Sequence, residues 1–188
     1  MHPNIFNQVK INPSMKQYIL NAYESHKLIS KIVEVPKSQL VRKSSEIEIK
    51  APLVLKIVSD QAIHKTEMGA VKIVNHNAEV SESFNELLNI AKKNKIKIEG
   101  ILAQEFVEGQ QLILGIKKDV TFGHVIAVGL GGIFTELLKD VSIRKCPISL
   151  KDADEMINEL KSSKIFHNFR NRRKNVKLLK NSLVSISR

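Results

Sequence analysis

The densest group of polar side chains in this sequence lies between two strongly apolar segments, in Ser59–Gly69. It offers the imidazole of His64, the ammonium of Lys65, the hydroxyl of Thr66 and the carboxylate of Glu67. Such a set could accept and pass on a phosphoryl group, with the histidine as nucleophile and the lysine neutralising charge. The segment joins two predicted strands, a position that favours binding and catalytic groups. Taken alone, however, a histidine such as His64 is more often a hydrogen-bonded surface residue.

Two further charged side chains and one glycine-rich turn could contact a ligand. Lys56 interrupts the apolar run Leu53–Val58. An ammonium inside a sheet is costly unless it reaches water or an anion, and alternation alone leaves both interpretations open. Glu105 ends another apolar run and could bond an adenine amino group or simply lie at the sheet edge. Gly129–Gly132 could let the backbone approach a ligand closely or form a plain tight turn.

Several well-known site signatures are missing from the sequence. It contains no G-x-x-x-x-G-K-[ST] loop, no H-E-x-x-H and no G-x-S-x-G motif. Gly129–Gly132 is not a dinucleotide-binding fingerprint, because Phe134 occupies the place of the third glycine. The single cysteine, Cys146, excludes a disulfide framework and a cysteine-rich zinc site.

The positive charge is concentrated near the end of the sequence. The 188 residues include 30 Lys and Arg against 19 Asp and Glu, a formal net charge of +11. Residues 161–188 hold nine of the basic groups and no acidic group, so the rest is nearly neutral. This tail could meet a polyanion, but a solvated helix is favoured because Phe166 and Phe169 are its only aromatic residues. No apolar run reaches the roughly 18 residues of a membrane helix, and no signal pattern is present. We therefore expect a cytoplasmic protein without a membrane partner, and a nucleic-acid partner is disfavoured.

The apolar spacing predicts an α+β fold with antiparallel sheets. Helical spacing predicts helices over Ser14–Tyr23, Asn77–Asn94, Ser149–Leu160 and Val176–Ile186. Alternating or β-branched runs predict extended segments at Ile29–Val35, Gln39–Lys43 and Ser44–Lys50, strands at Leu53–Val58, Val71–Val74, Ile96–Val107, Gln111–Lys117 and Gly123–Gly129, and an extended pair within 133–147. Because strands follow one another without intervening helices, a doubly wound sheet is disfavoured.

Four linked motifs carry a resemblance to a known family. They are Leu53–Ser59, Ile63–Gly69, Gly129–Glu136 and Leu138–Arg144. In type, order and spacing they closely resemble the ATP-grasp β subunit of ADP-forming acyl-CoA synthetases, which are relatives of the succinyl-CoA synthetase β subunit. The resemblance spans about residues 14–186. It implies an ATP-grasp fold, in which two α+β lobes with antiparallel-rich sheets hold a nucleotide.

The resemblance also implies an activity and a set of site residues. Such enzymes convert acyl-CoA, ADP and phosphate into acid, CoA and ATP, and a CoA-binding α subunit or domain handles the acyl-CoA. A phosphohistidine on that partner passes phosphate to a second histidine, which His64 matches. Lys56 matches the lysine that contacts the nucleotide phosphates, and ATP or ADP with Mg²⁺ is the implied cofactor. The other nucleotide-binding positions that the resemblance implies are Glu105, Gly131, Gly132 and Gln111, which stands where the family has a ribose-contacting glutamate. The accessory positions are Lys65, Glu67, Glu136, Asp140 and Arg144.

The sequence departs from the family pattern in several places. Ala70 stands where the family commonly has a second glycine after the relay segment. Family members continue with strands bearing Ile-Asn-Pro and Asp-Ala-Arg motifs, which hold Mg²⁺, whereas this sequence ends at Arg188. We therefore expect the last strands and the metal ligands to be missing, the metal-binding residues to be unknown, and catalysis to be weak or absent, as in a split or degenerate gene product.

The sequence predicts one domain organisation and leaves three interpretations of function. Residues 1–12 are predicted to be an extension, 13–160 the ATP-grasp domain and 161–188 a basic, helical tail. The first interpretation is the nucleotide-binding part of an acid–thiol ligase of the ADP-forming acetate–CoA ligase type. The second is an inactive pseudoenzyme that binds nucleotide or an intact partner subunit. The third, less favoured, is a basic-tailed nucleic-acid-binding protein.

Overall fold

The protein folds as two compact units that meet in sequence between Glu108 and Gly109. The computed structural model describes residues 20–59, 69–132, 140–164 and 172–188. Each unit pairs an antiparallel sheet with helices, so the predicted α+β class is confirmed. Within the described ranges, no helix combines the length and the apolar character needed to cross a membrane.

The first unit is built on a four-stranded antiparallel sheet. Its strands are β1 (Ser38–Val41), β2 (Leu53–Val58), β3 (Val71–Val74) and β4 (Gly100–Glu105), in the order β1-β4-β2-β3. Its helices are α1 (Ala22–Ile29) and α2 (Val80–Lys93), with 3₁₀ turns at Ser44–Glu46 and Asn77–Glu79. Strand β2 is central and pairs with β4 along its whole length.

Alternation along β2 decides which face of this sheet carries the core. Leu53, Leu55 and Ile57 are fully buried. They belong to the same apolar cluster as Phe84 and Leu87, which form the buried stripe of α2. Because successive strand residues point to opposite faces, Lys56 projects away from this core.

The second unit is built on a three-stranded antiparallel sheet. Its strands are β5 (Leu112–Asp119), β6 (Gly123–Leu130) and β7 (Val141–Lys145), in the order β5-β6-β7. Its helices are α3 (Leu150–Glu159) and α4 (Arg172–Ile186). The apolar core joins sheet and helices through Ile126, Val128, Met156, Ile157 and Leu183.

The boundaries of two elements differ from the prediction because of local hydrogen bonds. Helix α1 begins at Ala22, because Asn21 is extended and caps the helix in a capping box with Glu24, and residues 14–19 of the predicted helix lie outside the described residues. Strand β4 begins at Gly100 rather than at Ile96, because the chain turns at Lys95 with φ 53°.

Two predicted extended segments are wrong at their starts, although Ile47, which follows the 3₁₀ turn of the second segment, is extended. Ile29 is the last residue of α1. The segment Ile29–Val35 begins with a turn, because the Ile29 carbonyl accepts the N–H groups of Ile32 and Val33. The segment Ser44–Lys50 opens with a 3₁₀ turn, since the Glu46 carboxylate accepts the N–H of Arg42 at 2.8 Å. In both places, local hydrogen bonds replace the strand partner that a β-rich composition suggests.

The basic end of the chain is helical, as predicted for Val176–Ile186. Within α4, Leu183 is fully buried in the core of the second unit, and Lys180 forms an ion pair with Asp154 of α3. The predicted domain boundaries after residues 12 and 160 stay a prediction, and residues 1–19 lie outside the described residues.

Candidate functional site

Lys56 lies on the sheet face opposite the core of the first unit. Its cross-strand neighbours are Leu102 on β4 and Val71 on β3. The side chain is half-buried, and its Nζ donates a hydrogen bond to Oε1 of Gln104 at 2.6 Å. The apolar neighbours can pack along the lysine stem while the ammonium reaches a polar partner. The structure therefore presents a positive charge on this face, as a site for anionic phosphates requires.

Glu105, the predicted adenine-hinge residue, has its side chain on the other face of the same sheet. Its register partner is Leu53, whose side chain lies in the core, whereas Lys56 lies between the core residues Leu55 and Ile57 and points to the opposite face. The carboxylate accepts the N–H of Lys37 at 3.3 Å, and the Glu105 N–H donates to the Lys37 carbonyl at 2.9 Å. A ligand that contacts Lys56 could therefore contact Glu105 through the main chain only.

Three predicted site residues come together in the second unit. The N–H of Gly131 donates to the carbonyl of Gln111 at 2.9 Å. Gly132 has φ +66°, and a Cβ there would lie 2.6 Å from Oε1 of Gln111. A side chain at position 132 would be strained because φ is positive, which favours glycine at this turn, whereas the Gln111 amide ends a flexible side chain and could move aside. The turn therefore brings the Gln111 carboxamide beside Gly131 and Gly132 at one end of β6.

Asp140, a predicted accessory residue, serves the local fold. Its side chain is buried, and its carboxylate accepts the N–H groups of Lys161 and Ser162, both at 2.8 Å. Burial raises the pKa of Asp140, but hydrogen bonds from Ser162 and from the backbone of Lys161 outweigh it, and the pKa lies below its usual value. The carboxylate therefore holds the turn that follows α3 onto the start of β7.

We expect Asp140→Asn to destabilise the protein by about 2–3 kcal/mol at pH 7, because an amide cannot accept both N–H groups as a carboxylate does. A folded-state pKa below the unfolded value of about 3.9 contributes stability above that pH, and this contribution is lost as pH falls through the folded pKa. Urea unfolding measures the free energy of unfolding of wild type and variant. The difference between them should be smaller at pH 3 than at pH 7.

The matched control for this test is Asp154→Asn. Asp154 pairs with Lys180 on the surface of the second unit, and its side chain is 49% exposed. Such pairs contribute under about 1 kcal/mol, so this variant should unfold almost as wild type. An Asp140→Asn penalty that stayed constant down to pH 3 would contradict the role assigned to the carboxylate.

Arg144, a second accessory position, is paired inside the second unit. Its guanidinium forms an ion pair with Glu159, which also accepts the Ser142 hydroxyl at 2.8 Å. The hydrogen bonds from Arg144 and Ser142 lower the pKa of Glu159, and the bond to Glu159 raises the pKa of Arg144. This network ties β7 to α3, so its observed contribution is structural.

The remaining predicted positions lie outside the described residues. They are the relay candidate His64 and the accessory positions Lys65, Glu67 and Glu136. The two ends of the relay segment are described. Ser59 donates its hydroxyl to the Lys97 carbonyl at 2.7 Å, and the Ala70 carbonyl accepts the N–H of Ile57 at 3.0 Å. Both ends of the segment that holds His64 are therefore attached to the first sheet.

Gln104 is the residue that the sequence argument missed. It is a polar residue in an otherwise apolar strand, the same signal that singled out Lys56. The neighbouring residue, Glu105, is the one that matches a family position. The contact between Lys56 and Gln104 follows from the pairing of β2 with β4, which composition does not specify.

No group of three or more His, Cys, Asp or Glu side chains that could hold a metal ion occurs among the described residues. Mg²⁺ needs several oxygen ligands, usually carboxylates. Asp140 and Glu159 are already engaged by hydrogen-bond donors. The side chains in the described ranges therefore do not fit the Mg²⁺ site that the resemblance implies.

The fold and the four motifs define a class of protein. A family model described as an ATP-grasp domain matches residues 11–188. The chain belongs to this ATP-grasp family, and the resemblance inferred from the motifs is confirmed. The ATP-grasp fold predicted from it is confirmed with it.

Particular relatives extend the comparison. The chain is 38% identical over 181 residues to the ADP-forming 4-hydroxybutyrate–CoA ligase of Nitrosopumilus maritimus, covering 88% of this chain and 25% of that protein. It is 39% identical over 139 residues to the β subunit of the ADP-forming acetate–CoA ligase I of Pyrococcus furiosus, covering 69% of this chain and 60% of that subunit. The chain thus spans only part of the curated relatives it matches.

A solved structure gives the same result in three dimensions. The dinucleotide forming acetyl-coenzyme A synthetase 1 of Ca. Korarchaeum cryptofilum, in complex with coenzyme A, Ca-AMPCP and HgCl⁺, superposes with a TM-score of 0.82 at 36% sequence identity. The match covers 89% of this chain and 78% of the other chain.

Proposed function

We propose that this chain is the nucleotide-binding ATP-grasp part of an ADP-forming acyl-CoA synthetase. The overall reaction would convert acyl-CoA, ADP and phosphate into acid, CoA and ATP. The observation that carries the proposal is the ammonium of Lys56 on the sheet face away from the core, in a chain 36% identical to a synthetase that binds AMPCP. The acid is not specified by these residues, since the matched relatives act on different acids.

The proposed nucleotide contacts differ in kind from residue to residue. Lys56 would offset the negative charge on the phosphates, since phosphoryl transfer depends on placement and charge neutralisation. In the second unit, the resemblance assigns nucleotide contacts to the Gly131–Gly132 turn and to the Gln111 amide, which can bond a hydroxyl, while the Gly131 N–H is already donated to the Gln111 carbonyl. Glu105 would contribute its main-chain carbonyl beside the adenine, because its carboxylate accepts the Lys37 N–H and its own N–H donates to the Lys37 carbonyl.

The partner in this proposal is a CoA-binding α subunit or domain. One relative is a β subunit, which implies a second chain for that protein. We propose that the partner handles the acyl-CoA and forms the acyl phosphate. His64 would then carry phosphate between the partner and the nucleotide.

We expect Lys56→Met to weaken ADP binding about 10- to 100-fold. The change keeps the length of the side chain and removes one charge-assisted interaction with phosphate, which is worth about 1.5–3 kcal/mol. Isothermal titration calorimetry of the purified chain with ADP, with and without added Mg²⁺, measures the dissociation constant.

Lys92→Met, an exposed position on α2, is the matched control and should bind ADP like wild type. A wild-type chain that does not bind ADP at millimolar concentration overturns the proposed function. Equal affinity of wild type and Lys56→Met would leave nucleotide binding standing and remove Lys56 from the site.

A further inference from the structure

Gln104 is placed to control where the Lys56 ammonium lies. In the antiparallel pair of β2 and β4, Lys56 faces Leu102 and Val54 faces Gln104. Lys56 and Gln104 are therefore diagonal neighbours on one face of the sheet, a separation that long side chains can span. Gln104 is half-buried, and its Oε1 accepts the Lys56 Nζ–H at 2.6 Å.

The chemistry of this contact suits a lysine that must meet an anion. A lysine side chain loses up to about 2 kcal/mol of rotamer entropy when it is held in one conformation. An amide acceptor present before the ligand arrives holds the ammonium in place in advance. Because the amide is neutral, Gln104 itself does not offset the positive charge, whereas a carboxylate at the same place would compete with phosphate.

The surroundings limit the alternatives open to the lysine. Leu102 is 2% exposed and lies directly across from Lys56, so the stem is bordered by an apolar side chain. The amide of Gln104 is a polar acceptor in a strand whose preceding residues, Gly100–Ala103, are all buried. The geometry thus directs the ammonium along the face toward the end of β4 that carries Gln104.

We propose that Gln104 is a positioning residue, which fixes the Lys56 ammonium for the phosphates of an adenine nucleoside di- or triphosphate. This inference rests on the proposed function, because it assigns a role to Lys56 in phosphate binding. It predicts that the effect of Gln104 passes through Lys56 and depends on the phosphates of the ligand.

The test is a double-mutant cycle on ligand binding. Gln104→Met keeps the volume and removes the acceptor, and it should raise the dissociation constant for ADP about 5- to 20-fold. Adenosine, which lacks phosphates, should bind to this variant as to wild type. In the Lys56→Met background, Gln104→Met should cause no further loss of ADP affinity.

Gln39→Met is the matched control, since Gln39 lies on neighbouring β1 opposite Ala103, on the other face of the sheet. Its amide accepts the Glu48 N–H at 2.9 Å, so this variant removes a hydrogen bond without touching Lys56. It should leave the ratio of ADP to adenosine affinity unchanged. Should Gln104→Met not fold, as judged by circular dichroism, Gln104→Ala replaces it in the same cycle.

The outcomes separate this inference from the proposed function. If Lys56→Met weakens ADP binding while Gln104→Met does not, the positioning role is overturned and the proposed function stands. The positioning role is also overturned if Gln104→Met weakens the binding of ADP and adenosine equally. It is overturned as well if Gln104→Met lowers ADP affinity further in the Lys56→Met background. If the wild-type chain does not bind ADP, the proposed function fails and the positioning role fails with it.

Discussion

Replacement of His64 by Asn is expected to lower phosphoryl transfer from ATP to the protein by more than about 1,000-fold. In the proposed step, an imidazole nitrogen attacks the γ-phosphorus of ATP, a P–N bond forms, the bond to the bridging oxygen breaks and ADP leaves. Asparagine is close in size but has no nucleophilic nitrogen. Incubation with γ-³²P-labelled ATP and Mg²⁺, followed by gel analysis of acid-labile label, measures the transfer.

The two described ends of the relay segment are consistent with a role close to Lys56. The segment leaves β2, the strand of Lys56, and returns at Ala70 to pair beside it. ADP affinity should survive in His64→Asn, since the charge of Lys56 is unchanged. Label that remains at the wild-type level would remove His64 from the proposed relay.

His76→Asn is the control for the relay test, because His76 is exposed and follows β3 in the same unit. It should be labelled like wild type. A wild-type chain that binds ADP but takes no label at any position would contradict the transfer step and favour an inactive nucleotide-binding protein.

The second large effect is expected from Gly129→Ala, which should destabilise the second unit by about 3 kcal/mol. Gly129 lies on β6 opposite Val141 of β7. A Cβ at this position would lie 2.4 Å from the carbonyl oxygen of Asp140 and 3.1 Å from Cγ2 of Val141. The oxygen belongs to the backbone and cannot rotate away, so the start of β7 must separate from β6.

Gly115→Ala is a matched control in the same sheet. Gly115 lies on β5 opposite Ala127, and a Cβ there would meet no atom within 4 Å. The free energy of unfolding of this variant should equal that of wild type or be slightly higher, since alanine reduces the conformational freedom of the unfolded chain. Thermal unfolding compares the stabilities, and hydrogen exchange followed by mass spectrometry locates the loss of protection. Protection of β6 and β7 in Gly129→Ala that equals wild type would refute the expected collision.

The elements that local pattern determines were predictable. Strands β2 and β3 occupy the predicted residues, Leu53–Val58 and Val71–Val74, because each is a β-branched run with a turn-forming residue before it. Helix α2 follows from the 3.6-residue spacing of its apolar stripe. The starts of α1 and β4 were missed, because a polar cap at Asn21 and a turn at Lys95 are two choices among many that look alike in sequence.

The candidate site divides in the same way. A lysine in an apolar run marks Lys56 in the sequence, and clustered glycines mark the turn containing Gly131 and Gly132. The order of four motifs identified the family. The actual contacts of Asp140 and Arg144 were not predictable, since their partners Ser162 and Glu159 come from a helix and turn that pack back onto β7.

The sequence by itself determined the α+β class, the order of most elements and the ATP-grasp family, because periodicity and motif order are properties of short stretches of chain. Only the tertiary structure decided that Lys56 shares a face with Gln104, 48 residues away, and not with the Glu105 carboxylate. The physical reason is strand register, since a shift of one residue between β2 and β4 would exchange the two faces.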